Sequence, residues 1–166
     1  MCSPVLSFVS GPENLSNLDA IRGNARLLSD PHGASEERLA QAVAEGKVIV
    51  FISCAMHATE CASPQFAMEL AHTMATSEDE LWQRVRDEVV VLLAPTLNPD
   101  GLDHVTNWYR ENVGTPYEGT GLLKRYQYYS GHDNNRDWFM LTQAETPNRT
   151  ELLYNVWHPP RPTPVR

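Results

Sequence analysis

Two apolar runs constrain this chain more than anything else in it: KVIVFISC at residues 47–54 and EVVVLLA at residues 88–94. Both are continuous and rich in branched aliphatic residues, the pattern of strands buried on both faces of an α/β sheet rather than of strands with one wet side. Each run ends in a polar stretch, AMHATEC at 55–61 and PTLNPDG at 95–101. Strands alternating with helical spacing predict a layered α/β fold. In open α/β sheets ligands collect beyond the carboxyl ends of the strands, so both polar stretches are candidate site segments.

The remaining elements follow from local signals. Residues 4–9 predict a short strand, with Pro4 tolerable at its start. Residues 10–30 predict one helix, with Leu15, Leu18, Ile21 and Ala25 at 3–4 spacing. Ser35 is placed to cap a helix that runs through Glu45 and stops at Gly46. Ser63-Pro64 opens a helix carrying Phe66, Ala67, Leu70 and Met74, and Ser77 through Glu80 fits a capping box for a helix with Leu81, Trp82 and Val85. NPDG predicts a turn. From 102 to 144 little regular structure is predicted, although the aromatic residues there argue against disorder. Thr146-Pro147 opens a last helix with Leu152, Leu153, Val156 and Trp157. The expected organisation is one domain over 1–157 and a proline-rich tail over 158–166. Its four prolines are incompatible with a buried central strand.

Charge and length remove several function classes. Thirteen basic against twenty-one acidic residues give a net charge of −8, and no basic patch favours nucleic acid or an anionic membrane surface. No run approaches the ~20 apolar residues of a membrane span. Three irregularly spaced cysteines are not a disulfide framework. As written, the chain has no leader and is expected to be cytoplasmic; a longer N-terminus would allow a secreted or periplasmic protein.

His57 and Glu60 offer an imidazole nitrogen and a carboxylate oxygen three residues apart, both good zinc donors. The same pair suits an ordinary polar loop, and it is not an HExxH helix. Asp100 in NPDG is placed either in a bare structural turn or as a carboxylate supporting a metal-bound His57. In GHDNNRDWF, Asp133, Asn135 and Asp137 imitate a calcium loop, but Trp138 and Ala144 stand where glycine and glutamate are needed. Asn135-Arg136 can grip a carboxylate with parallel hydrogen bonds, or Arg136 can pair with Asp133 or Asp137. Arg110, in WYR, can stabilise an oxyanion or lie in solvent.

The order HATE, NPDG, WYR, NNRDW resembles the zinc metallocarboxypeptidases, the carboxypeptidase A-like family. The resemblance is closest to a bacterial branch that carries NNRDWF followed by TQxET, here LTQAET, and it covers residues 5 to 157. It implies a three-layer α/β/α fold with a mixed, mostly parallel central sheet, incomplete at its C-terminal end. It implies Zn2+ held by His57 and Glu60, with Asp100 supporting the histidine and Arg110 polarising the scissile carbonyl. Asn135 and Arg136 would bind the free C-terminal carboxylate of a peptide or amide substrate. The family also uses a third ligand, a histidine on a later strand, and a late general-base glutamate. Here the only later histidine is His158 and no carboxylate follows Glu151. The expectation is a truncated copy with impaired hydrolysis. The alternative is a non-catalytic or degenerate module that binds C-terminal peptides without cutting them.

Overall fold

The computed structural model describes residues 5–122, 131–159 and 162–164. Four strands form one mixed sheet in the order β1-β3-β2-β4, with β1 at Ser7–Val9, β2 at Val48–Ser53, β3 at Val89–Ala94 and β4 at Pro162–Pro164. The two apolar runs are the parallel pair at its centre, in register from Val48 opposite Val89 to Ser53 opposite Ala94. β1 lies antiparallel to β3, and β4 runs parallel to the end of β2 at the sheet edge. An edge suits prolines, which have no N–H to give a second neighbour.

Helices α1 (Pro12–Ser16), α2 (Leu18–Ser29) and α3 (Glu36–Glu45) precede β2. Helices α4 (Ala62–Thr76) and α5 (Glu80–Glu88) cross over to β3. Then come α6 (Pro99–Asn112), a 3-10 turn at Asn134–Arg136, and α7 (Glu145–Thr150), which continues as a π-helical stretch, Glu151–Trp157. The sheet is covered on both faces, so the fold is α/β. One core joins Ile49, Phe51, Val90 and Leu92 to Ile21 of α2 and to Leu153 and Trp157. The other joins Val91, Leu93 and Cys54 to Ala67 and Met74 of α4, with Trp82 and Val85 of α5 against it. Every residue of β3 after Val89 is buried, as the unbroken apolar run requires. β2 is less enclosed, since Val50 and Ile52 are only half-buried beside the edge.

Several local expectations are corrected. NPDG is not a turn but the start of α6: Asn98 caps it by accepting from Gly101 N (2.9 Å), Pro99 takes the first helical position and Asp100 the first turn. Residues 102–112, expected to be irregular, are therefore helical. The helix expected over 10–30 breaks at Asn17. Asn14 is buried and its amide donates to Ser10 Oγ, Arg86 O and Asp87 O, which ties the short α1 to the end of α5. Helix α5 is capped by Asp79 rather than Ser77, through Leu81 N (2.9 Å). Phe66 and Leu81 face solvent, not the core. Ser35 caps α3 as expected. Gly46 ends that helix in an extended conformation, where a Cβ would lie 2.5 Å from Ala42 O. No helix among the described residues is long and apolar enough to cross a membrane.

Candidate metal centre

The parallel register puts the ends of β2 and β3 side by side, and the polar segments leave from the same edge of the sheet. Cys54 extends the pairing by one residue, donating to Ala94 O (3.0 Å) and accepting from Leu97 N (2.9 Å). The chain then turns sharply at Ala55, a buried residue held at φ 47 in the left-handed region. A non-glycine residue there is unfavourable and persists only where its surroundings hold it. The anchor is Ser63, buried in the first turn of α4, whose Oγ accepts from Ala55 N (3.0 Å) and donates to Glu60 O (3.0 Å). Asn98 Nδ2 donates to Met56 O (3.4 Å), so the cap of α6 also holds this turn.

Inside the turn, Glu60 reaches back to His57. Its Oε2 accepts from His57 N (3.0 Å) and its Oε1 lies 2.8 Å from His57 Nδ1. On the other side of the ring, Asp133 Oδ1 lies 3.1 Å from His57 Nε2. The His57, Glu60 and Asp133 side chains keep 24%, 17% and 20% of their exposure, which leaves the group reachable from solvent. Burial, reinforced by the Glu60 charge, pushes the pKa of the nearby Cys54 thiol up.

The same Asp133 oxygen accepts from Asn135 N (2.8 Å) and so caps the 3-10 turn that carries Asn135 and Arg136. One carboxylate thus links the HATE turn to the NNR turn, 76 residues apart. Asn135 is half-buried, whereas Arg136 is exposed, with Nη1 only 3.3 Å from the adjoining Asn135 carbonyl. The alternative in which Arg136 is tied up by Asp133 or Asp137 is not what forms. Asp137 is fully buried and accepts instead from Thr142 N (3.1 Å), Gln143 N (2.8 Å) and the hydroxyls of Thr142 and Thr146. Asp100 is half-buried in the first turn of α6, and Arg110 is exposed in its last turn.

The model of the zinc carboxypeptidase family matches residues 24–163, most of the chain. The chain belongs to the zinc carboxypeptidase family. No curated protein matches it.

Among the described residues, no group of three or more histidine, cysteine or acidic side chains is arranged to hold a metal ion. The donors that are present nevertheless suit this family's metal. A neutral imidazole has one ring proton, yet His57 faces a carboxylate on each side. With Nε2–H donating to Asp133, the Nδ1 lone pair meets the Glu60 carboxylate head-on, a contact that needs either a second ring proton or a cation between them. His57 Nδ1 and Glu60 Oε1 are the two donors that would hold the metal.

In the sequence Asp133 fits only an incomplete calcium-type pattern and a pairing with Arg136, and its contact with His57 comes from the fold. Its position just before the turn, where an Asp can cap it, is the one local signal for that contact. Asp133→Ala is expected to weaken zinc binding roughly 10–100-fold, as loss of such supporting carboxylates does. Isothermal titration of the metal-free variant checks this, and unchanged affinity would deny Asp133 an orienting role.

Proposed function

We propose that this chain is a metallocarboxypeptidase-type centre for peptides or amides with a free C-terminal carboxylate, and that the 166 residues by themselves hydrolyse such substrates weakly. His57 Nδ1 and Glu60 would hold Zn2+, which in this family's chemistry polarises a carbonyl and activates water. Asp133 keeps Nε2 of His57 engaged, so that Nδ1 faces the metal position. Asn135 and Arg136 would receive the terminal carboxylate, with the exposed guanidinium making two parallel hydrogen bonds. Arg110 would stabilise the developing oxyanion. The observation that supports this reading is the single Asp133 carboxylate bound to both His57 and Asn135 N, which joins the turn of His57 and Glu60 to the turn of Asn135 and Arg136.

Weak hydrolysis follows from what these residues offer. Catalytic zinc sites use three protein ligands and a water. His158 caps the π-helical stretch in a left-handed conformation, with its backbone N–H on Leu153 O and its Nε2 buried. The second reading, a module that binds C-terminal peptides without cutting, is favoured by the exposed Arg136 guanidinium.

Titrating the metal-free protein with Zn2+, and separately with a blocked dipeptide ending in a free carboxylate, tests both. Zinc binding should disappear in His57→Ala and peptide binding in Arg136→Ala, with release of C-terminal residues near background. No zinc binding at millimolar metal would sink the centre. Peptide binding that survives loss of zinc would leave the binding module. Zinc-dependent turnover with stoichiometric metal would overturn the weak-hydrolysis statement.

A further inference from the structure

The most unusual charge in the molecule lies outside the metal centre. Arg149, on α7, is 5% exposed, and its Nε, Nη1 and Nη2 have no hydrogen-bond partner among the described residues. Its guanidinium carbon stands 4.9 Å from the centre of the Trp138 ring, so an aromatic face covers one side of the cation. The edge of the fork, where the five N–H groups lie, remains without an acceptor. Asn134 is 1% exposed, and both its side-chain nitrogen and its oxygen are likewise unpartnered among the described residues. Buried polar groups are nearly always satisfied, and an uncompensated buried cation is among the costliest exceptions.

The nearby acidic groups do not satisfy this one. Asp137 directs its oxygens to Thr142, Gln143 and Thr146, with His132 Nε2 also 3.4 Å from its Oδ1. Glu145, one helical turn before Arg149, acts on it through its charge without a hydrogen bond to the fork. Burial lowers the Arg149 pKa to about 10, only partly opposed by the Glu145 charge, so the group is still cationic at neutral pH. A planar fork of donors with no acceptor capacity matches a carboxylate or phosphate group, and neither a cation nor an apolar ligand.

We propose that Arg149, backed by Trp138, is a buried receptor for an oxyanion, adjoining the turn that carries Asn135 and Arg136. The connection to that turn is short: Thr146, one helical turn before Arg149, bonds to Asp137, the residue after Arg136. The receptor is distinct from Arg136, which is exposed and reads as the grip for substrate. It does not depend on zinc or on hydrolysis. The oxyanion has two sources, a free anion such as phosphate or a carboxylate on a second copy of this chain.

The Arg149 Nε–H resonance in a 15N-labelled sample reports occupancy directly, with its assignment made by its loss in Arg149→Lys. Inorganic phosphate, and separately acetate, is titrated at constant ionic strength against sodium chloride. A saturable shift of the Arg149 signal, absent from that of exposed Arg136, is the expected result and identifies a free anion. A shift that appears only as protein concentration rises, together with sedimentation as a dimer, identifies the second copy. If Arg149 moves with neither, or drifts linearly as Arg136 does, the receptor does not exist. Should the lysine variant fail to fold, the Arg149 and Arg136 Nε–H signals are assigned in the wild-type protein by through-bond correlation to their own backbone amides, and the same comparison decides.

Discussion

Asp137→Ala should unfold the segment between Asp137 and Thr146 and lower the melting temperature more than loss of any exposed carboxylate. The Asp137 carboxylate is fully buried, and four donors converge on it: two backbone N–H groups and two threonine hydroxyls. Truncation leaves all four without their acceptor in a place water does not reach, and each such orphan carries its own desolvation penalty. Amide exchange at Thr142 and Gln143 is expected to rise with the fall in Tm, while exchange in β3 falls in protection only as far as global stability does. Asp137→Asn should be intermediate, since one of its two acceptors becomes a donor facing donors. A variant that melts with the wild type would show that these hydrogen bonds do not hold the segment.

The same group gives a pH dependence with a definite sign. Burial alone would raise the Asp137 pKa. The hydrogen bonds from Thr142, Thr146 and the Gln143 and Thr142 backbone N–H groups outweigh it and hold the carboxyl well below the usual carboxylate range. With the folded pKa depressed, the carboxylate stabilises the fold fully above the unfolded value, about 3.9 for an aspartate. That contribution is lost as pH falls below the unfolded value towards the folded one. The wild-type protein should therefore lose stability steeply below about pH 4. Asp137→Asn should show a flatter acid limb, and parallel limbs in the two proteins would contradict the assignment.

Phe51→Ala is the second large effect. Phe51 is 1% exposed at the centre of β2 and belongs to the core that joins the sheet to α2 and to Leu153 and Trp157. Removing a buried aromatic ring typically costs about 3–5 kcal/mol, the lost transfer energy plus the cavity left behind. For a chain of this size that lowers Tm by roughly 10 °C. The damage should also reach the site, because β2 delivers His57 only six residues later. Denaturant unfolding checks the stability, and a midpoint within error of the wild type would mean that this core collapses without penalty.

Much of the frame was legible because it depends on local chemistry. The two apolar runs are strands because unbroken branched aliphatic residues fit only an enclosed sheet. Ser35 caps α3 through its own neighbour's N–H, three residues away. NPDG reads as a turn yet starts a helix, because asparagine, proline and aspartate begin helices by the same chemistry that makes them form turns. What decides between them is whether the chain beyond can bury a helical face. The break at Asn17 was not legible, since it is set by bonds from Asn14 to carbonyls 72 and 73 residues away. The helical spacing on both sides of Asn17 runs on without any signal of it.

The site divides along the same line. His57 and Glu60 stood out because a turn of three residues brings their donors together with no help from the rest of the fold. Asp133 did not, because its meeting with His57 depends on where residues 131–142 lie against the end of β2. The same holds for Arg149, whose charge was ordinary in the sequence and became an unpaired buried cation only once α7 packed it beside Trp138. The sequence by itself determined the two central strands, the cap of α3 and the His57-Glu60 donor pair, each set by residues within a few positions of one another, and the family, set by the order of four such local motifs. Tertiary structure alone decided which carboxylate serves His57 and which arginine is buried without a partner, because contacts between distant segments depend on packing rather than on spacing.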